Sequence, residues 1–329
     1  MAKPKVFVTY PMPDQHLEPL RAVAEISKWP GPGRCPEDIA VKEVADAVGV
    51  VGVMRWTPEI LDKAPQLRVI ANTAVGYDSV DVPAATARGI IVTNTPGVLT
   101  DTTADLAFCL LVTVARRIGE SERFVRAGKW AANPSAGGAM LGMDIHHATL
   151  GVVGMGRIGS EVAHRGAGFH MKVLYYDEFR REDLEKQFGY QYVDLDTLLR
   201  ESDFVTLHVA LTPQTRKLIG AAEFAKMKPT AFLINASRGG VVDEQALIEA
   251  LRSKQIAGAG LDVFEKEPTP SDNPLLQMEN VVVTPHIGSA TGATRRAMMD
   301  LAVQNVAAVL QGQAPLTPVN PEVLPTARK

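Results

Sequence analysis

Thr149-Leu150-Gly151-Val152-Val153-Gly154-Met155-Gly156-Arg157-Ile158-Gly159 is the stretch on which the reading of this chain turns. Thr149–Val153 reads as a short buried strand, and residues from Ser160 to Gly168 read as a helix. Between them lies G-x-G-x-x-G. Gly154 permits the tight turn, Gly156 lets the backbone approach a pyrophosphate, and Gly159 lets the helix pack close to the strand. Free N–H groups at the helix start, with the helix dipole behind them, favour anionic phosphates. A second apolar strand, Val173-Leu174-Tyr175-Tyr176, ends in Asp177. That acid lies about 20 residues beyond the start of the turn, where a carboxylate accepts hydrogen bonds from a ribose diol. An ordinary strand-to-helix turn also uses glycine, but it does not require a second strand and a terminal acid in register. The combination predicts a dinucleotide site.

Outward from this turn, strand-like runs alternate with helical ones along the whole chain, which predicts α/β layers with parallel sheets. Upstream, the strands are read as Lys5–Thr9, Ala24–Trp29, Gly49–Val53, Val69–Asn72 and Ile90–Thr93, with helices around Leu17–Val23 and Val82–Arg88. Asp101 to Ala127 reads as one long helix, with Asp101 or Thr102 as N-cap and a centre apolar almost all round, as in a buried or interface helix. Asn133 to Met143 reads as a loop. Downstream, Val205–Val209, Ala231–Asn235, Gly258–Asp262 and Val281–Thr284 are the expected strands, with helices over Asp196–Arg200, Ala221–Lys226 and Glu244–Ser253. A last helix runs from past Gly288 to about Leu310, with Met299, Val303, Val306 and Leu310 along one side.

The expected architecture is two doubly wound parallel-sheet domains, with a dinucleotide domain of residues 102–287 inserted into a domain made of residues 1–101 and 288–329. Two crossings between domains leave a cleft, the usual place for a ligand.

Composition bounds the rest. The chain has 329 residues, of which 46% are hydrophobic, and a net charge of −3. Its pI is near 6.2. That balance gives no electrostatic footprint for nucleic acid or an anionic membrane. The apolar run Leu106 to Ala115 is too short to span a bilayer and stops at Arg116-Arg117. The N-terminus lacks the basic-then-apolar pattern of a secretory signal. Cys35 and Cys109 form no C-x-x-C pair, which predicts buried or inert thiols and a cytoplasmic protein. No His and acid pattern has metal-ligand spacing, so no metal is expected.

Three strand ends carry chemistry. Ala231–Asn235 leads into Ala236-Ser237-Arg238-Gly239-Gly240, Gly258–Asp262 leads into Val263-Phe264-Glu265-Lys266-Glu267-Pro268, and Val281–Thr284 leads into Pro285-His286-Ile287-Gly288. In open α/β sheets, the carboxyl ends of the strands border the ligand crevice. Reduction of a carbonyl by hydride needs a proton donor for the developing alkoxide, and His titrates in the useful range. A carboxylate on the other ring nitrogen would hold the imidazolium, and Glu267 is the choice, with Glu265 as the alternative. Arg238 can clamp a carboxylate and polarise the adjacent carbonyl. Together they specify a carbonyl next to a carboxylate. Taken singly, His286 reads equally as a loop or capping residue, Arg238 as a solvated charge and Glu267 as part of an exposed cluster. His146-His147 and His164 are weaker candidates, since the pair precedes the strand and His164 lies inside a helix.

At this point the chain resembles the D-isomer-specific 2-hydroxyacid dehydrogenases, from Val6 to about Leu316. The matching stretches are Ala74-Val75-Gly76-Tyr77-Asp78-Ser79-Val80-Asp81, Asn94-Thr95-Pro96-Gly97, Thr103-Ala104-Asp105-Leu106-Ala107, Leu150 to Gly159, Asn235 to Asp243, Leu261 to Pro268 and Thr284 to Ser289. The resemblance implies a Rossmann-type NAD domain inserted into a flavodoxin-like substrate domain. It implies the catalytic set Arg238, Glu267 and His286, with Val75 and Gly76 amides on the substrate carboxylate. It also implies cofactor contacts at Thr103, Arg157, Ile158, Asp177, His208, Val209, Pro213, Ala236, Ser237, Arg238, Asp262, His286, Gly288 and Ser289. The family's formate dehydrogenases carry Gln where this chain has Glu267. The expected activity is reduction of a small 2-oxo acid of the glyoxylate, hydroxypyruvate or 2-ketogluconate type to the D-2-hydroxy acid. Asp177 favours NAD, with NADP as the alternative through Arg180 and Arg181. Other readings are an NADH sensor of the corepressor kind and a dehydrogenase of an oxyanion such as phosphite. The long apolar helix predicts a homodimer.

Overall fold

The computed structural model describes residues 3–328. They divide into two compact units, one running to Leu99 and resuming at Ala290, the other Thr100–Ser289.

The first unit holds β1 (Lys5–Val8), β2 (Glu25–Lys28), β3 (Gly49–Val51), β4 (Val69–Ala71) and β5 (Ile91–Thr93). All are parallel, in the order β2-β1-β3-β4-β5. This is the flavodoxin-like order, with its switch point between β1 and β3. Alternation along the strands sends Val6, Val8, Val51 and Val69 to one face, where Val303 and Val306 of the helix Gly292–Leu310 cover them. Phe7, Val50, Ile70 and Val92 go to the other face with Trp56 and Leu61. Both faces are covered, which is why these strands read as continuous apolar runs. The final helix thus returns to the first sheet as its apolar side predicts, although Met299 and Leu310 are only partly buried. Thr291 caps it, accepting a hydrogen bond from the Thr294 N–H at 3.3 Å.

The second unit holds β6 (Thr149–Val153), β7 (Lys172–Tyr176), β8 (Gln191–Tyr192), β9 (Phe204–Leu207), β10 (Phe232–Asn235), β11 (Gly258–Leu261) and β12 (Val281–Val283). The order is β12-β11-β10-β9-β6-β7-β8, again all parallel. The switch falls between β6 and β9, so the glycine turn after β6 opens at the crevice where such sheets bind ligands. The expected two-sheet α/β architecture is therefore present.

Several local expectations are corrected. The helix read over residues 101–127 is two helices. The first, Thr100–Ala115, begins before the expected cap. It lies on β10 and β11, where Phe108, Leu110, Leu111 and Val114 share a core with Val152 and Ile234. Each such side chain contributes about 1.5–3 kcal/mol when fully buried. The chain then breaks at Arg117, whose φ of 52° is left-handed, and Ile118–Arg126 follows with no buried residue. Residues 133–143 contain a 3₁₀ turn, Pro134–Ala139, where a loop was expected. The edge strand β8 was not expected; both of its residues are exposed. The thiols are free but not both buried, since Cys109 is exposed and Cys35 is half-buried. Among the described residues, no helix is long and apolar enough to cross a membrane.

Candidate active site

The glycine turn is built as a close approach. Gly154 has φ 96°, and a Cβ there would sit 2.8 Å from the His208 carbonyl carbon and 2.9 Å from Val209 Cγ1. A Cβ on Gly159 would collide with the Gly154 carbonyl. At Gly156, by contrast, a Cβ would meet nothing within 4 Å, so this glycine faces open space. Gly156 begins the helix Arg157–Gly168, and no side chain caps that end. The first-turn N–H groups at Arg157 and Ile158 are thus left for an outside anion. Asp177, at the end of β7, accepts from the Met155 N–H at 2.6 Å through Oδ2 and from the Phe179 N–H at 3.1 Å through Oδ1. A bare helix start, an open glycine and a fixed carboxylate fit the pyrophosphate and ribose of a dinucleotide.

Arg180 and Arg181, on which the NADP alternative depends, lie at the surface. Both are ion-paired, Arg180 with Glu185 and Arg181 with Asp183. His208, after β9, lies with Nε2 2.8 Å from Thr206 Oγ1, and burial pushes its imidazole down to about 3, so it stays neutral. Pro213 is exposed beyond it.

The loops after β10, β11 and β12 meet in this unit. His286 Nδ1 is 2.7 Å from Glu267 Oε2. Glu267 Oε1 accepts from the Phe264 N–H at 3.1 Å. Burial works against the Glu267 charge, but the bond and charge of His286, the Phe264 N–H and the Arg238 guanidinium outweigh it. They hold the carboxyl below the usual carboxylate range. Glu267, and not Glu265, touches the imidazole; the Glu265 N–H is turned to Glu244 at 3.0 Å. His286 Nε2 has no hydrogen-bond partner among the described residues. His286 itself has φ 53°, and the peptide between Glu267 and Pro268 is cis.

Asp262 shapes this loop from below. It is 1% exposed. Its Oδ1 accepts from Thr284 Oγ1 at 2.6 Å and from the Ile287 N–H at 2.8 Å, and its Oδ2 accepts from the Gly288 N–H at 2.8 Å. Thr103 is buried just behind Gly288. On the β10 side, buried Asn235 accepts from the Ser237 N–H at 3.0 Å and donates to the Arg238 carbonyl at 3.0 Å. That fixes Ala236, Ser237 and Arg238 at the strand end. A Cβ on Gly239 would collide with the Phe264 carbonyl, so the Arg238 and Glu267 loops pack backbone to backbone.

In the first unit, the loop after β4 is organised by two asparagines. Asn72 donates to the Gly76 carbonyl at 2.6 Å, and Asn94 donates to the Val75 carbonyl at 2.8 Å. With these carbonyls tied back, the Val75 and Gly76 N–H groups donate to no acceptor among the described residues. Two adjacent unpaired N–H groups make an anion-binding concavity. Sequence reasoning missed Asn72, Asn94 and Asn235; each stands at a strand end, which by itself does not mark an anchor of a functional loop. His146 and His147 lie exposed ahead of β6, and His164 pairs with Glu161 at 3.4 Å in its own helix. Among the described residues, no group of three His, Cys, Asp or Glu side chains is set to hold a metal.

Residues 108–288 match the family model described as D-isomer specific 2-hydroxyacid dehydrogenase, NAD binding domain. The chain belongs to the D-isomer specific 2-hydroxyacid dehydrogenase family. It is 49% identical to a glyoxylate reductase of Korarchaeum cryptofilum, over 98% of this chain and 97% of the relative. It is 47% identical to glyoxylate/hydroxypyruvate reductase B of Salmonella agona, over 97% of this chain and 99% of that protein. In structure it is similar to an NADPH-dependent glyoxylate/hydroxypyruvate reductase of Sinorhizobium meliloti solved with NADP and malonate. The TM-score is 0.87 at 35% identity, covering all of this chain and 99% of the other. The protein is therefore an NAD(P)-dependent oxidoreductase that reduces 2-oxo acids. These relatives give no support to a non-catalytic NADH sensor or to an oxyanion dehydrogenase.

Proposed function

We propose that this enzyme reduces glyoxylate and hydroxypyruvate to their 2-hydroxy acids, with His286, Glu267 and Arg238 as its catalytic set. The observation that carries this reading is the 2.7 Å contact from Glu267 Oε2 to His286 Nδ1, which leaves Nε2 as the outward nitrogen. The bound nicotinamide supplies the hydride. His286, protonated, gives the Nε2 proton to the carbonyl oxygen as negative charge develops there. Glu267 keeps the ring oriented through its contact with Nδ1. Arg238 holds the substrate carboxylate and polarises the neighbouring carbonyl. The first unit is the proposed substrate domain, with the Val75 and Gly76 N–H groups as its anion-binding donors. The second is the proposed coenzyme domain, through Gly154, Gly156, Gly159 and Asp177. Asp262 acts by holding the His286-to-Gly288 loop.

Substrate choice is tested by kcat/KM for glyoxylate, hydroxypyruvate, pyruvate and 2-ketogluconate, followed by loss of NADH absorbance. The first two should lead the series; a clear preference for either of the others would overturn the assignment.

Glu267→Gln is expected to lower kcat by about 10- to 100-fold and to remove the acidic fall of activity that protonation of this carboxyl causes. The sign follows from charge. The wild-type carboxyl is held below its ordinary range, so it is ionised throughout neutral pH, and its support of the ring fades only as pH falls through that lowered value. The amide offers no such support at any pH. A pH profile superimposable on the wild type would exclude the pairing from the mechanism.

A homodimer is proposed as well, but on a different surface from the helix that first pointed to it, since Thr100–Ala115 spends its apolar side on its own sheet. Ile118, Val125, Trp130 and Leu141 are exposed in the segment that follows. Exposed apolar residues grouped this way mark an association surface. Mass in solution checks it, and a monomer at micromolar concentration would defeat it. Free Cys35 and Cys109 suit a reducing compartment, and the cytoplasm is the proposed location.

A further inference from the structure

Two arginines follow Asp177, and each guanidinium is already engaged by a carboxylate. Arg180 gives Nε and Nη2 to Glu185 at 2.8 and 2.7 Å. Arg181 gives Nε and Nη2 to Asp183 at 2.9 and 2.7 Å, and Nη1 to the Met155 carbonyl at 3.1 Å. Its own N–H is pinned to Tyr175 Oη at 2.8 Å. Met155 is the middle residue of the G-x-G turn, and its N–H is the group that Asp177 Oδ2 accepts at 2.6 Å. Arg181 and Asp177 thus grip the same residue from its carbonyl and its amide side.

The two groups ask for opposite ligands. A ribose with a free 2′-hydroxyl donates to a carboxylate such as Asp177. A 2′-phosphate needs a guanidinium fork, and any carboxylate beside it is repulsive. Arg181 is the arginine bonded to the glycine turn, through the Met155 carbonyl, but its Nε and Nη2 N–H groups face Asp183. We propose that Asp183 withholds Arg181 from a 2′-phosphate and so sets this enzyme's preference for NAD over NADP. This rests on reading the glycine turn and Asp177 as the coenzyme site. The Arg181–Asp183 pair is exposed, with side chains 36% and 61% accessible. It is therefore of little value to stability. Its effect lies in the direction of the fork and in the negative charge that Asp183 sets against Arg181.

The test measures Kd for NADH and NADPH directly, by calorimetry on the full chain, in wild type, Asp183→Ala, Asp183→Asn and the double variant Asp183→Ala/Arg181→Ala. Wild type should bind NADH more tightly than NADPH. Asp183→Ala should strengthen NADPH by about tenfold and leave NADH unchanged. Asp183→Asn, which keeps the shape and removes the charge, should give part of that gain. Removing Arg181 as well should abolish it. Equal wild-type affinities overturn the proposal, as does an unchanged NADPH Kd in both single variants or a gain that survives without Arg181. If the wild type binds neither coenzyme, the reading of the glycine turn falls and takes the proposal with it.

Discussion

His286→Ala is expected to lower kcat for 2-oxo acid reduction by about 10²- to 10⁴-fold, the usual contribution of a positioned general acid, while the Kd for NADH stays near that of the wild type. The magnitude follows from the absence of a substitute. His208 is held neutral, with burial pushing it to about 3, and its Nε2 already lies 2.8 Å from Thr206. Glu267 is held in its ionised form and cannot donate. Coenzyme binding should survive because the loop does not depend on the imidazole. The Ile287 and Gly288 N–H groups are held by Asp262, and the His286 N–H itself bonds the Asp262 carbonyl at 2.9 Å.

One structural effect must be kept apart from the chemistry. With φ at 53°, position 286 lies in the left-handed region, where Ala is strained and Asn is tolerated. His286→Asn therefore keeps the backbone and removes the acid. Both variants should lose kcat alike. A full kcat in His286→Asn with a loss only in His286→Ala would assign the effect to backbone strain and end the acid role.

The dinucleotide half was legible because its signals are local. A strand, three glycines, a helix and a second strand with its terminal acid occur in a short stretch, and each answers to a steric need. A Cβ on Gly154 or Gly159 meets backbone, so no neighbouring choice relieves it. The parallel sheets were legible for a similar reason, since strands buried on both faces read as continuous apolar runs.

The break at Arg117 was not legible. Arginine rarely adopts positive φ, and neither Gly nor Pro interrupts the pattern before residue 119. Burial changes there: Thr100–Ala115 packs its apolar side on its sheet, whereas Ile118–Arg126 has no buried residue. Asn72, Asn94 and Asn235 were not legible either. Nothing local separates a strand-terminal amide that anchors a functional loop from one that faces water. Arg180 and Arg181 show the limit most clearly. Sequence placed them beside Asp177 and left NADP as an alternative, because the direction of a guanidinium depends on side chains that arrive with the next helix, Glu182–Phe188.

Arg238→Gln is expected to reduce kcat/KM for 2-oxo acids by about 10²- to 10³-fold, the loss of a bidentate charge-assisted clamp at a site where charge develops. The backbone that presents residue 238 should remain in place. Asn235 holds the Arg238 carbonyl at 3.0 Å, and the tight packing of Gly239 on the Phe264 carbonyl leaves the strand end little room to move. Arg238→Lys should recover only part of the loss, because an ammonium keeps the charge and gives up the fork. A second consequence follows from the packing of the two loops. The Arg238 charge is one of the influences that keep the Glu267 carboxyl low, although a smaller one than His286. Removing it lets that carboxyl rise toward its ordinary range, so the acidic fall of activity should move to higher pH in Arg238→Gln and stay in place in Arg238→Lys. A substrate clamp remote from Glu267 would raise KM without touching the profile. The two readouts therefore separate an arginine that merely gathers substrate from one that also conditions the acid–base pair, and a Gln variant with both kcat/KM and profile unchanged would remove Arg238 from the site altogether.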